Sequence, residues 1–188
     1  PVDTDYSYTH GGRLSLLFYI PGTKEGLFDF NFLSFAYSNQ MYTPAKLDTI
    51  YRSRDDRPYA GYSYIELGFH QASKSSLNSL SIELGMVGPS TDMDFLQKTI
   101  HDLIGTKKVC GWDYQLEDEY IFQLNYQRKD RFKREELYGY ENDLVSYYGL
   151  NLGNKSIKAS GGVLYRIGKN ITDDFGVSSM NESNHASV

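Results

Sequence analysis

Hydrophobic and polar residues alternate with a period of two along most of the chain. Because successive side chains of a β-strand point to opposite faces, this pattern predicts strands with one apolar face each. Seven such segments follow one another. Their apolar positions are Leu14, Leu16, Phe18 and Ile20; Phe28, Phe30 and Phe32; Ile65, Leu67 and Phe69; Leu80, Ile82, Leu84 and Met86; Tyr120, Phe122, Leu124 and Tyr126; Tyr148, Leu150 and Leu152; Val163, Tyr165 and Ile167.

The opposite faces of these segments are polar, and two fold classes fit that arrangement. In a soluble β-sandwich the polar faces meet water, whereas in a membrane β-barrel they line the lumen and the apolar faces meet lipid. The alternation alone does not separate the two. Tyrosines near the strand ends favour the barrel, because aromatic side chains collect at membrane interfaces; they are Tyr8, Tyr19, Tyr37, Tyr42, Tyr59, Tyr62 and Tyr140. We therefore predict an all-β, antiparallel transmembrane β-barrel.

The connections between the segments differ in length. Short turns are expected at 21–26 and 153–155, and longer connections at 38–60, 88–112 and 127–142, which resembles short periplasmic turns and long outer loops. Single-chain bacterial barrels have even strand numbers, so seven strands indicate part of a barrel. We expect one domain over 1–177 and a polar loop or disordered end over 178–188.

One short loop helix is expected in the second long connection. Ser90, Thr91 and Asp92 offer capping oxygens before it, and Gly105 offers a stop. Its apolar stripe comprises Met93, Leu96, Ile100 and Leu103, and a neighbouring polar stripe comprises Asp94, Gln97 and His101.

Composition narrows the range of functions. The net charge of −5 argues against wholesale nucleic-acid binding, which needs basic surfaces that displace counterions. The single cysteine, Cys110, excludes a disulfide within the chain. Neither a nucleophile-elbow motif nor a phosphate-binding glycine loop occurs, so α/β-hydrolases and nucleotide enzymes are excluded.

A few side chains could carry chemistry. His101 is a candidate general base, with Gln97 one turn earlier to orient it or the substrate; a histidine exposed to solvent is the alternative. Thr9 could orient a water molecule or act as a nucleophile, or could be an ordinary strand threonine. Another group, basic side chains in one long loop, could bind the phosphates of an anionic glycolipid or could simply be solvated; these are Lys46, Arg52 and Arg54.

Six short motifs in register over residues 5–120 together resemble the outer-membrane lipid A 3'-O-deacylases. They are Tyr8-Thr9-His10-Gly11, Tyr42-Thr43-Pro44, Asp56-Arg57-Pro58-Tyr59-Ala60-Gly61-Tyr62, Gly85-Met86-Val87-Gly88-Pro89, Gln97-Lys98-Thr99-Ile100-His101-Asp102-Leu103-Ile104-Gly105, and Gly111-Trp112-Asp113-Tyr114-Gln115-Leu116.

The resemblance implies a barrel of about twelve strands in a Gram-negative outer membrane, acting on lipid A as a monomer. It implies Ca²⁺ as cofactor, His101 as the general base and Gln97 and Thr9 as its companions. The metal ligands stay unassigned, because the family's Asn-Asp pair has no counterpart in this sequence. The resemblance further implies hydrolysis of the 3'-linked acyl ester.

Two other classes of function remain open from the residues alone. One is a non-catalytic barrel, either porin-like or an adhesin, and the other is a soluble β-sandwich binding module. We expect the chain of 188 residues to be inactive by itself, because an open sheet edge leaves backbone N–H and C=O groups unsatisfied in hydrocarbon.

Overall fold

A computed structural model describes residues 7–20, 31–44, 56–105, 109–171 and 175. It contains seven strands and one α-helix: β1 (Ser7–Tyr19), β2 (Phe32–Thr43), β3 (Ala60–Ala72), β4 (Ser76–Val87), α1 (Met93–Ile104), β5 (Glu119–Leu137), β6 (Tyr140–Gly153) and β7 (Lys158–Gly168). The predicted tail, 178–188, lies outside the described residues.

The seven strands form one antiparallel sheet in sequence order, from β1 at one edge to β7 at the other. Every strand pairs with its neighbours in sequence, as expected for an up-and-down barrel. The predicted antiparallel sheet is confirmed, and the alternative of a soluble β-sandwich is wrong for the described residues, because they form a single sheet. None of the described helices is both long and apolar enough to cross a membrane.

Each strand has one apolar and one polar face, and the register aligns these faces across the sheet. On the apolar face, Leu67 lies beside Phe35 and Ile82, and Ile82 lies beside Leu124. Many of these side chains are exposed, since hydrocarbon rather than protein would cover them in a membrane. On the polar face, Arg13 pairs with Glu66 at 2.8 Å, and Lys155 pairs with Glu83 at 2.8 Å.

Strand β2 departs from the sequence prediction in both position and phase. It begins at Phe32, and the predicted positions Phe28 and Phe30 lie outside the described residues. Phe32 pairs with His70, whose side chain lies on the polar face, so Phe32 is not on the apolar face. The lipid-facing positions are Leu33, Phe35 and Tyr37 instead. Between residues 28 and 35, phenylalanine occurs at both even and odd positions, so the sequence alone does not show which face of the strand is apolar.

The predicted connections are partly wrong as well. Residues 127–142 are not a long loop: β5 continues to Leu137, a two-residue turn follows, and β6 starts at Tyr140. Charged residues beyond the apolar band suggested a loop, but they extend the hairpin and pair across it, as Arg134 does with Glu141 at 3.0 Å. Similarly, β2 extends to Thr43, well inside the predicted connection 38–60.

Both remaining long connections lie at the same end of the sheet. They join β2 to β3 and β4 to β5, and the second contains α1; we call this end the helix end. At the opposite end, Ser73–Ser75 and Tyr138–Gly139 make tight turns. The β6–β7 turn, residues 154–157, also lies at the helix end.

Candidate functional site

The helix α1 ends as predicted but begins differently. Gly105 adopts φ 69° and its N–H donates to the carbonyl oxygen of His101, which closes the last turn. The preceding Asp92 has φ 55° and makes no side-chain cap. The expected capping oxygens serve other bonds: the Thr91 hydroxyl donates to the carbonyl oxygen of Gly88 at 2.7 Å, and the Ser90 hydroxyl donates to Asp118.

The helix turns its polar stripe toward the sheet. Gln97 is 2% exposed and His101 9% exposed, although both had been assigned to a polar stripe. Leu103, predicted for the buried apolar stripe, is 84% exposed. The alternative that His101 is a solvent-facing histidine is therefore wrong.

An apolar cluster lies under the helix, and one of its members, Trp112, is bonded to Gln97. The cluster consists of Met41, Tyr59, Met93, Val109 and Trp112, with Leu96 packed against it. The rings of Tyr59 and Trp112 lie 4.9 Å apart. We call this the outer cluster, because Met41 has the same phase on β2 as the lipid-facing Phe35 and Tyr37.

A glycine brings α1 against the sheet. Gly61 has the same phase on β3 as the lipid-facing Ile65 and Leu67, so α1 covers the apolar face. A Cβ at Gly61 would lie 2.4 Å from Thr91 Oγ1 and 2.6 Å from Met93 Cβ, too close for any side chain. The Gly88 N–H also donates to the Gly61 carbonyl oxygen at 3.0 Å.

A second apolar cluster lies on the polar face at the same level. Ala60, Val87 and Ile121 form it, and Tyr42 and Tyr62 pack against it. The sheet is thus packed on both faces where α1 rests, which makes it a firm support for the helix. The tyrosines Tyr42, Tyr59 and Tyr62 belong to these two clusters, so their prediction as membrane girdle residues is wrong.

Trp112 fixes the side chain of Gln97. Its indole Nε1–H donates to Gln97 Oε1 at 2.8 Å, and both residues are buried. The other amide atom, Gln97 Nε2, is buried and has no hydrogen-bond partner among the described residues. An amide N–H₂ left in this state is costly unless a ligand or water accepts from it, so the arrangement holds a hydrogen-bond donor ready one turn from His101.

For the other predicted site residues, the described structure gives no side-chain contact with His101 or Gln97. The backbone of Thr9 lies in β1 at the helix end, at a register shift between Tyr8 and His10; its side chain is outside the described atoms. Lys46, Arg52 and Arg54 also lie outside the described residues.

The described residues do not provide a Ca²⁺ site. No group of three or more histidine, cysteine, aspartate or glutamate side chains that could hold a metal ion occurs in the part of the chain that the structure describes. Hard cations such as Ca²⁺ take six to eight oxygen ligands, so the described residues alone do not fit the ion. We assign no chemical step to it.

Asp118 ties the start of the helical segment to β5. Its carboxylate accepts from the Ser90 N–H at 2.9 Å and from the Ser90 hydroxyl at 2.6 Å. These bonds favour the charged form and hold the pKa of Asp118 below its usual value. The stabilisation is therefore complete above the usual aspartate pKa and is lost as the pH falls through the lowered pKa.

We expect Asp118→Asn to loosen the 88–92 segment at neutral pH, because the amide cannot accept both bonds as a carboxylate does. At neutral pH, the amides of residues 88–92 should be less protected from hydrogen–deuterium exchange in this variant than in wild type. In acid, the protection of wild type should fall to that of the variant measured at the same pH. Asp113→Asn, an exposed aspartate in the same connection, is the control. Equal protection in both variants at neutral pH would contradict the assigned role.

Several residues of the site were not assigned roles from the sequence. The sequence indicates Gly61 and Trp112 only as members of short motifs, and it gives no indication of a role for Met41. A signal existed for Trp112, since it is the only tryptophan in the sequence. For Gly61 and Met41 the contact with α1 depends on the packing of distant segments, which no local pattern encodes.

Comparisons with known proteins agree with this architecture. The family model described as outer membrane protein LpxR matches residues 2–188. Among solved structures, LpxR from Salmonella typhimurium is similar, with a TM-score of 0.73 and 20% sequence identity over 88% of this chain. The chain spans 54% of the length of that structure. No curated protein sequence matches.

The solved structure shares the fold of this chain and the family model covers nearly the whole sequence, so the chain belongs to the outer-membrane LpxR family.

Proposed function

We propose that this chain forms part of an esterase that removes the 3'-linked acyl chain of lipid A in the outer membrane of a Gram-negative bacterium. The observation that carries the proposal is the position of the buried pair His101 and Gln97. They lie between α1 and the apolar, lipid-facing side of the sheet, not on the polar side. A site on that side suits a substrate whose acyl chains lie in the bilayer.

In the proposed reaction, His101 acts as a general base. Its imidazole takes a proton from a water molecule, and the water oxygen attacks the ester carbonyl carbon. The tetrahedral intermediate then expels the 3'-oxygen of the sugar, which receives the proton from the imidazolium. The products are a free fatty acid and a sugar hydroxyl, so atoms and charge balance.

Gln97 serves as a positioning residue and hydrogen-bond donor in this scheme. Its Oε1 is held by Trp112 at 2.8 Å, so the orientation of the amide is fixed. The direction of the Nε2–H bonds is therefore set by the protein, and this group can donate to the ester or to the attacking water. Preorganised donors of this kind stabilise developing charge without reorganisation.

The finer parts of the proposal rest on the family resemblance. They are the dependence on Ca²⁺, the participation of Thr9, and phosphate binding by the basic loop residues Lys46, Arg52 and Arg54. A non-catalytic barrel is the competing proposal, and it offers no reason to bury a histidine beside an unsatisfied amide.

The function is tested with the complete barrel protein of which this chain forms part, purified from outer membranes and mixed with lipid A in detergent micelles. Fatty acid release is quantified by gas chromatography and mass spectrometry, with chelator added in a parallel series. We expect release of the 3'-linked chain, and loss of that release on chelation if Ca²⁺ participates. A folded barrel that releases no fatty acid under Ca²⁺-replete conditions would contradict the proposal.

Removing the indole donor should weaken the site without unfolding it. We expect Trp112→Phe to reduce the rate of acyl release by about tenfold, because Gln97 Oε1 would be left buried without a donor, which costs about 1–3 kcal/mol. Rates are measured in the same micelle assay. Tyr114→Phe, which changes an exposed aromatic residue of the same turn, should leave the rate unchanged; equal rates in wild type and both variants would refute the role of Trp112.

A further inference from the structure

The apolar face of the sheet stops abruptly at the same level on four neighbouring strands. Moving away from α1, the last apolar residues are Leu33, Phe69, Leu80 and Tyr126, and the next lipid-facing positions are Asn31, Gln71, Asn78 and Arg128. The register places Gln71 beside Asn78 and Asn78 beside Arg128. The N–H of Asn31 donates to the carbonyl oxygen of His70 at 2.8 Å, and this bond places Asn31 beside Gln71 on the neighbouring strand. We call these four residues the polar row.

The polar row is joined by hydrogen bonds. Asn78 Nδ2 donates to Gln71 Oε1 at 3.2 Å, and Asn78 Oδ1 accepts from Arg128 Nη1 at 3.4 Å and from the Tyr126 hydroxyl at 3.3 Å. Because Gln71 accepts through its oxygen, its amide nitrogen is on the opposite side of the group. The row therefore presents amide and guanidinium N–H groups on the outside of the sheet.

A cavity of about 380 Å³ lies along this row, lined by Asn31, Gln71, Ala72, Ser73, Ser76, Asn78 and Arg128. Nearly all of its lining side chains carry hydrogen-bonding groups, although it opens on the lipid-facing side of the sheet. Its height matches the level at which hydrocarbon gives way to lipid headgroups, because every strand of the row changes from apolar to polar there.

Charge at the cavity is balanced by a neighbouring aspartate. Asp130, one position further along the same face of β5, accepts from Arg128 Nε at 2.9 Å and from Nη2 at 2.8 Å. This pairing holds the guanidinium in place and leaves Nη1 on the side of Asn78 and the cavity. A cation and an anion thus lie side by side at the headgroup level. Tyr126 borders them on the apolar side, and Tyr148 lies beside Arg128 on β6, with the two tyrosine rings 6.1 Å apart.

We propose that the polar row binds the headgroup of phosphatidylethanolamine in the leaflet opposite α1. The phosphate accepts from Arg128 Nη1 and the amide of Gln71, since guanidinium and amide donors suit phosphate oxygens. The ammonium group of the lipid lies near Asp130, and its acyl chains lie along the apolar face above the row. This site is distant from His101 and depends only on the membrane-spanning fold, not on the proposed deacylase activity.

The test is native mass spectrometry of the protein purified from outer membranes and titrated with dioleoyl phosphatidylethanolamine in a mild detergent. Four proteins are compared: wild type, Arg128→Gln, Gln71→Leu and the control Lys98→Gln. The control removes the same charge from an exposed site on α1 at the other end of the sheet. Heat-modifiable migration on gels confirms that each variant is folded.

We expect Arg128→Gln to weaken binding of the first lipid by about fivefold, the typical effect of one basic residue near a lipid surface. Gln71→Leu should weaken it while leaving the Arg128–Asp130 pair intact, and Lys98→Gln should bind as wild type does. Dioleoylglycerol, which lacks the phosphate, should bind weakly and equally to all four proteins.

The proposal would be overturned by equal phosphatidylethanolamine binding in wild type, Arg128→Gln and Gln71→Leu. It would also be overturned if dioleoylglycerol bound as tightly as the phospholipid, because the acyl chains alone would then explain retention. Inorganic phosphate is the last arm: displacement of the lipid by phosphate at equal concentration would show a free-anion site and no lipid site. None of these readings uses catalytic activity.

Discussion

Replacement of His101 by alanine or glutamine is expected to lower kcat for acyl release from lipid A by about a hundredfold to ten-thousandfold, the usual contribution of a general base. KM should change little, because proton transfer stabilises the transition state and not the bound substrate. Glutamine keeps most of the volume and some hydrogen bonding of the imidazole, so it separates the loss of the base from the loss of packing.

The measurement is steady-state kinetics in lipid A micelles with the three proteins at matched folded concentration. His70→Gln is the matched control. His70 lies on the polar face, where its ring nitrogens are hydrogen-bonded to Ser34 at 2.8 Å and Ser79 at 2.9 Å, and glutamine can keep bonds of this type. Full activity in the His101 variants would remove this residue from the mechanism, whatever the function of the protein.

Gly61→Ala is expected to reduce activity by about tenfold to a hundredfold although it changes no polar group. The new methyl group would overlap Thr91 and Met93, so α1 must move away from the sheet. Overpacking of this kind costs about 1–3 kcal/mol, and a shift of about 1 Å in a catalytic group can lower a rate about a hundredfold. The loss should therefore appear mainly in catalysis, with the barrel still folded.

Trp112 lies in the outer cluster and is the only tryptophan in this sequence, so its emission, taken as the difference from Trp112→Phe spectra, reports on that cluster. In Gly61→Ala we expect its emission to move to longer wavelength as water reaches the indole. Gly161→Ala on β7 is the control, because a Cβ there makes only ordinary contacts, the nearest at 3.5 Å. Normal activity and unchanged emission in Gly61→Ala would mean that the close approach of α1 is not needed.

Much of the sheet could be predicted because the membrane and the lumen impose opposite polarity on alternate residues. The segments around Leu67, Ile82 and Leu124 have one apolar phase only, and each was predicted on its observed face. The segment of β2 has phenylalanine at both phases, so its face could not be decided locally. Both strands of the β5–β6 hairpin were predicted, but their extension through 127–142 was predicted as a loop, because beyond the membrane a strand needs no apolar face.

For the candidate site too, the sequence predicted some features and not others. The existence of α1 followed from its residue pattern and its Gly105 stop is confirmed, but the expected capping side chains do not cap it. Its orientation did not follow, because it depends on contacts of Met93 with Gly61 and Met41 and on the bond from Trp112 to Gln97, which come from three other parts of the chain. A helix with both polar and apolar stripes can pack either way until such partners are known.

The proposed deacylase activity is tested most directly by mass spectrometry of lipid A isolated from Gram-negative cells that express the complete barrel protein in their outer membrane. We expect the 3'-linked acyl mass to disappear in cells expressing wild type and to persist in cells expressing His101→Ala. Unchanged lipid A with wild-type protein that is folded in the outer membrane would contradict the proposed activity and favour a non-catalytic barrel.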